Sequence, residues 1–166
     1  IGSAGLTAML CVMALEDQGV VPDQGTVLVT GASGGVGGIA VALLAGLGFS
    51  VTAVTGNREH DDYLNQLGAT EIVSRVDLEK PARPLEKQRW AAAIDTVGGK
   101  VLARLLAEMQ YGGTVAATGL TLGRGTVACT LENSRIVNCG GNGVIVGAAD
   151  QNNPARGNTI TDCRDN

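Results

Sequence analysis

The sequence predicts an α/β fold, a Rossmann-like parallel sheet with helices on both faces, followed by a short β-helix-like tail. Three observations carry this. Short apolar runs alternate with segments of helical period up to about Leu122, the pattern of βα units in a parallel sheet. Residues 26–45 read TVLVTGASGGVGGIAVALLA, a strand, a glycine-rich turn and a helix in the order a dinucleotide-binding unit requires. Beyond Leu122 the helical period vanishes and a repeat begins, in which residues 133–142 line up with residues 157–166 at an offset of 24. The expected domains are residues 1–122, dinucleotide-binding, and residues 123–166, an asparagine- and glycine-rich solenoid-like tail.

In chain order, residues 4–18 predict a helix, because Leu6, Met9, Leu10 and Met13 recur at helical spacing. Pro22, Asp23 and Gly25 supply turn chemistry. Strand one is residues 27–29, and the helix after the glycine turn should stop near residues 46–48. Strand two is residues 51–55. A third helix follows, with Glu59, Asp61 and Asp62 where negative charge suits the helix dipole, Tyr63, Leu64 and Leu67 facing inward, and Gly68 as its stop. Strand three is residues 71–73. Residues 74–88, with Pro81 and Pro84, read as a connection holding one helical turn. Strand four is residues 90–94. A helix over residues 100–110 should bury Val101, Leu102, Leu105, Leu106 and Met109, and strand five is residues 114–118. In the tail, Ile136 would stack over Ile160 and Cys139 over Cys163, as in coils of a parallel β-helix.

The 166 residues hold one domain and a little more. Apolar residues make up 45% and aromatic ones only 2%, so Ala, Val, Leu and Gly must build the core. A net charge of −4 without a basic stripe argues against a nucleic-acid partner. No apolar run approaches the roughly 20 residues of a membrane helix, no segment reads as a signal peptide, and a cytoplasmic protein is expected. The chain opens on Ile1 rather than Met, which points to a start further upstream. Cys11, Cys129, Cys139 and Cys163 form no C-x-x-C pair, and His60, the one histidine, is far from them in sequence. The spacing therefore implies free thiols and no metal site.

Ligands of an open α/β sheet bind beyond the carboxyl ends of its strands. There the candidate cofactor loop is Gly31, Ser33, Gly34, Gly35, Val36 and Gly37, whose glycines are spaced G-x-x-G-x-x-G. Such a loop lets backbone and a helix N-terminus approach a pyrophosphate; its plainer reading is a flexible surface turn. After strand two come Thr55, Gly56, Asn57 and Arg58, with no carboxylate before Glu59. A carboxylate here would favour NAD, and an arginine suits a 2′-phosphate, so NADP is the expected cofactor. The alternative makes Arg58 a solvated residue at the helix start. Asp95 and Thr96, with Gly119 and Leu120, would lie towards the nicotinamide, although Asp95 could equally cap the next helix. Tyr63 is either a cofactor contact or packing, and His60 reads as solvated. No Ser/His/Asp or Cys/His set stands out, and no catalytic residue is assigned. A cofactor enzyme does not require such a set.

Residues 1–20, 27–44, 63–73 and 83–120, above all RPLEKQRWAAAIDTVGG, resemble the acrylyl-coenzyme A reductase and quinone oxidoreductase group of the zinc-independent medium-chain dehydrogenase/reductase superfamily. The resemblance covers about residues 1–122. It implies NADPH-dependent reduction of an activated C=C bond in a small acyl-coenzyme A or quinone-like substrate, by a cytoplasmic homodimer or larger assembly. It places Ser33, Gly34, Gly35 and Val36 at the phosphates and the Thr55-Gly56 loop at the adenosine phosphate. Many members carry arginine directly after that glycine; here Asn57 stands there and Arg58 follows. Members also begin with a GroES-like catalytic domain, which these residues lack, so the expectation is a truncated or chimeric chain with little turnover alone. The competing readings are the start of a parallel β-helix carbohydrate-active or surface protein joined to a Rossmann segment, and a non-catalytic NADP-sensing module.

Overall fold

The computed structural model describes residues 2–80 and 86–118, together with short strands between residues 120 and 161. Two compact units are present, Ile1–Thr118 and Gly119–Asn166.

The first unit opens with α1 (Gly2–Asp17), a 3-10 turn at Pro22–Gln24, β1 (Thr26–Val29) and α2 (Gly35–Gly46). There follow β2 (Ser50–Thr55), a 3-10 turn at Arg58–His60, α3 (Asp61–Gln66), β3 (Glu71–Ser74) and the one-turn α4 (Arg75–Leu78). The unit closes with β4 (Trp90–Asp95), α5 (Gly99–Ala107) and β5 (Met109–Ala117). The five strands form one sheet in the order β3-β2-β1-β4-β5, every pair parallel. The chain winds from β1 outward to β3, then returns to place β4 on the other side of β1. The α/β, Rossmann-like parallel sheet expected from the sequence is therefore the fold, and its switch point lies between β1 and β4.

Alternation along the buried strands divides the core. Val27, Val29, Val51, Ala53, Ala92 and Ile94 pack in one cluster with Ala8, Val12 and Leu15 of α1, Ala40, Val41 and Leu44 of α2, and Leu64 of α3. Leu28, Val54 and Ala93 point the other way, and Leu78, Val101, Leu102 and Leu105 are buried outside that cluster. Cys11 also lies in the first cluster, and burial pushes its thiol pKa up, which keeps the thiol protonated.

Three expectations need correction. In α1 the stripe Leu6, Met9, Leu10 and Met13 faces solvent, while Gly5, Ala8, Cys11, Val12 and Leu15 are buried. Both faces of α1 are apolar, so helical period alone does not say which one is buried; the buried one packs with α2 and the sheet. Tyr63 is 47% exposed instead of facing inward. Finally, α5 stops at Ala107, Leu106 is exposed, and β5 begins already at Met109.

The reason for the early strand is a buried anchor. The Glu108 carboxylate accepts from Trp90 Nε1 at 3.1 Å and from Arg104 Nε at 2.8 Å, and its carbonyl accepts from the backbone N–H of Arg89 at 2.7 Å. Arg104 also pairs with Glu86 at 2.7 Å, and the Arg89 guanidinium lies 4.4 Å from the Trp90 ring centroid. Met109 is thereby drawn into register with Trp90. The motif that carries the resemblance thus spans the sheet: residues 86–90 lie at the start of β4, and Asp95, Thr96 and Gly98 lie at its other end.

In the second unit β6 (Leu120–Leu122) pairs with β9 (Val144–Val146), β7 (Leu131–Glu132) with β10 (Ala155–Arg156), and β8 (Arg135–Val137) with β11 (Thr159–Thr161). All three pairs are parallel and join residues 24 apart, as Leu120 with Val144 and Ile136 with Ile160. Cys139 and Cys163 lie outside the described residues.

Glu108→Ala removes the acceptor of Trp90 Nε1 and one of two carboxylates around Arg104. It should cost about 3 kcal/mol, read as a lower urea midpoint at unchanged slope. Glu108→Gln keeps an acceptor for Trp90 and should lose less.

Candidate functional site

At the switch point β1 and β4 are joined by side chains as well as by the sheet. Thr30 and Asp95 are buried, and Thr30 Oγ1 donates to Asp95 Oδ1 at 2.6 Å. Thr30 Oγ1 accepts from the Thr96 N–H at 2.9 Å, and Thr96 Oγ1 donates to the Thr30 carbonyl at 2.8 Å. The other Asp95 oxygen accepts from the Gly98 N–H at 2.8 Å, and the Asp95 carbonyl accepts from the Thr118 N–H at 3.0 Å. Asp95 thus spends its carboxylate on the loop leading into α5. The N-cap position of α5 is Gly98 and no side chain caps that helix, so the Asp95 carboxylate bonds the loop ahead of the helix and not the helix end.

The glycine loop is shaped by these neighbours. Gly31 has φ +60°, and a Cβ there would run into Thr96 Oγ1. A Cβ on Gly37 would run into the Gly31 carbonyl, and Ala32 Cα would be 2.8 Å away. Both positions therefore exclude any side chain. The turn continues through a Gly34 N–H to Gly31 carbonyl bond of 2.9 Å. Ser33, Gly34 and Gly35 are exposed, Val36 is half-buried, and no side chain caps the start of α2 at Gly34. The first N–H groups of this 12-residue helix thus face the opening beyond the sheet. Such a helix end attracts an anion through its dipole and its unfilled donors.

The loop after β2 is tied to this turn. Thr55 is buried; its hydroxyl donates to Ser33 Oγ at 3.2 Å and accepts from the Asn57 N–H at 3.2 Å. Asn57 Oδ1 accepts from the Glu59 N–H at 3.0 Å, capping the 3-10 turn. Arg58 turns away: its Nε and Nη2 both donate to Asp61 Oδ2 at 3.1 Å. Tyr63 places its hydroxyl 3.1 Å from where a Gly38 Cβ would lie, beside the first turn of α2. His60 is exposed.

The structure therefore brings together Gly31, Ser33, Gly34, Gly35, Val36, Gly37, Thr55, Gly56, Asn57, Asp95 and Thr96 around one end of the sheet. Arg58 is committed to Asp61. Leu120 opens β6 of the second unit, and Gly119 lies outside the described residues. Arg75, which the sequence reading did not single out, lies beside this loop. Its guanidinium Cζ would be 3.2 Å from a Cβ on Gly56. The signal was there, since Arg75 follows β3, the strand paired with β2, but only the register Thr55–Ser74 makes it a neighbour of Gly56. An open depression lined by Glu79, Val97, Gly98, Lys100 and Val101 borders the loop after β4.

Comparison with known proteins adds to this geometry. The zinc-binding dehydrogenase family model matches residues 35–137. The acrylyl-CoA reductase AcuI of Ruegeria pomeroyi is 56% identical over 132 residues, covering 79% of this chain and 40% of that protein. The YhdH oxidoreductase of Salmonella enterica, solved in complex with NADP, is 63% identical with a TM-score of 0.69, over 70% of this chain and 36% of that one. Protein YhfP of Bacillus subtilis, solved with NAD bound, is 57% identical with a TM-score of 0.69, over 72% and 36%. The chain spans about two fifths of the length of the curated relatives it matches. The matching family is named for zinc, yet among the described residues no three His, Cys, Asp or Glu side chains gather to hold a metal. These residues do not fit a zinc ion.

Thr30→Val keeps the shape of the side chain but deprives Asp95 of a buried donor and the Thr96 N–H of its acceptor. We expect a loss of about 2 kcal/mol in urea unfolding. A variant as stable as the parent would contradict the role given to this pair.

Proposed function

The chain belongs to the zinc-binding dehydrogenase family, within the medium-chain dehydrogenase/reductase superfamily, and on that premise we propose that it is the NADP(H)-binding portion of an NADPH-dependent oxidoreductase. The reaction is reduction of an activated C=C bond in an acyl-coenzyme A or quinone-like substrate. The observation that supports the binding step best is the turn from Gly31 to Gly37. Two of its glycines are sterically obligatory, and it delivers the uncapped start of α2 to the crevice at the switch point. The names of the relatives support the substrate class.

When bound, the nicotinamide supplies the reducing equivalents. The chain's own residues do three things. The Gly34, Gly35 and Val36 region receives the pyrophosphate on backbone N–H groups. Thr55 holds the β2 loop against Ser33, which keeps the adenosine end of the crevice in place. Asp95, through Thr30 and Thr96, fixes the loop over which the nicotinamide half lies. None of these groups donates a proton to a substrate carbon. The isolated 166-residue chain is accordingly read as a binder with little turnover. Residues 123–166 are read as a solenoid-like tail, supported by the shared 24-residue offset of the three strand pairs.

NADPH fluorescence titration checks the binding step. Gly34→Asp and Gly35→Asp each place a carboxylate at the start of α2, where both positions are exposed. Each should weaken binding by about a hundredfold, or roughly 2.7 kcal/mol; the melting temperature should change little for Gly35→Asp, whose Cβ meets only Ala4 at 3.6 Å, and more for Gly34→Asp, whose Cβ would lie 3.2 Å from the Gly31 carbonyl. Unchanged affinity in both would sink the assignment. For the tail, spin labels at positions 136 and 160 should sit about 5 Å apart across neighbouring strands and give an exchange-broadened spectrum; well-separated labels would refute the coil.

A further inference from the structure

The second unit repeats itself in pairing as well as in sequence. Strands β6, β7 and β8 start at residues 120, 131 and 135, and β9, β10 and β11 start at 144, 155 and 159. Each of the later three pairs in parallel with the strand 24 residues before it, giving three two-stranded sheets. The first three strands thus form one rung and the last three a second, stacked on it. Among the described residues every one of these strands has one paired edge and one open edge. An open strand edge is a template for a further strand.

Register and charge say what that template matches. Glu132 stands opposite Arg156 in the β7–β10 pair, and opposite charges at facing positions favour pairing. Residues 119–166 carry four arginines and four acidic side chains, so the unit has no net side-chain charge with which to repel a copy of itself. The net charge of −4 falls entirely in residues 1–118.

We propose that the second unit is a self-association surface, on which β9, β10 and β11 of one copy take β6, β7 and β8 of another, head to tail. The inference rests on the coil reading of residues 123–166 and goes beyond it. The contact between copies repeats the contact within each copy, with the same strands, the same direction and the same facing positions. Arg156 of one copy meets Glu132 of the next, so acid and base alternate along the stack. Head-to-head stacking instead brings like charges of one edge together, which opposes pairing. A solenoid needs about three coils to bury its faces, and a second copy stacked on the two rungs seen here passes that number. Each added copy leaves the same edge open, so the association is heterologous and grows beyond a dimer.

The test uses the full 166-residue chain. Light scattering should give a mass that rises with concentration past that of a dimer, and added salt should reduce it. The double variant Glu132→Arg with Arg156→Glu keeps opposite charges facing within a copy and should associate with itself as the parent does. Every junction between this variant and the parent, however, sets like charges face to face. Two batches carrying different dyes on their N-terminal amines report such junctions by fluorescence cross-correlation. Parent should co-diffuse with parent, and with the double variant less by about threefold or more. Equal co-diffusion in the two mixtures overturns the proposal, as does more in the mixed one, which head-to-head stacking demands. A parent that stays monomeric at every concentration also overturns it, and so does a double variant that fails to associate with itself. The coil is read separately, from the spin-label pair at positions 136 and 160 diluted into unlabelled chain, where only labels within one copy meet. Broadening there without association strikes the stacking alone; its absence strikes the coil, and the stacking with it.

Discussion

The hydrogen bond between Thr30 and Asp95 ties together everything this end of the sheet presents. It is short, buried and charge-assisted, and it joins two strands that are adjacent in space but 65 residues apart in the chain. From it follow the position of Thr96, the closeness of Thr96 to Gly31, and the need for glycine at 31. The same carboxylate holds the Gly98 N–H ahead of α5. A buried ionised group is tolerated only when its lone pairs are filled, and here the filling groups are the loops that would flank a ligand. Site shape and core stability are consequently the same set of bonds.

A second buried carboxylate organises the far end. Glu108 takes the Trp90 indole and the Arg104 guanidinium, and its backbone takes the start of β4. The two carboxylates bracket β4, one at each end. Between them the strand holds three alanines, Ala91, Ala92 and Ala93, and the buried Ile94.

Family membership and site geometry constrain different things. Two neighbours of this fold are solved with NADP and with NAD, and the residues that differ in their surroundings lie around the β2 loop. The geometry there separates two arginines that look alike in sequence. Each is paired with a carboxylate on its own segment, Arg58 with Asp61 and Arg75 with Glu79, and Arg75 also lies against Gly56.

The order of elements, the glycine turn, the parallel class of the sheet and the ends of most strands were legible from sequence, because period, glycine placement and turn residues are local properties. The inner face of α1 was not. Both of its stripes are apolar, and the buried one, Ala8, Cys11, Val12 and Leu15, is the one that packs into the cluster with β1, β2, β4 and α2. Nor could the sequence show that β5 starts at Met109, since that depends on Trp90 reaching Glu108. Composition and spacing singled out the loops that meet at one end of the sheet but not the contacts their side chains make there. Whether Asp95 faces a ligand or a backbone, and whether Arg58 or Arg75 lies on Gly56, depends on register between strands remote in sequence. Local chemistry determined which segments gather at the crevice; tertiary pairing decided which of their side chains are left with a hydrogen bond to give.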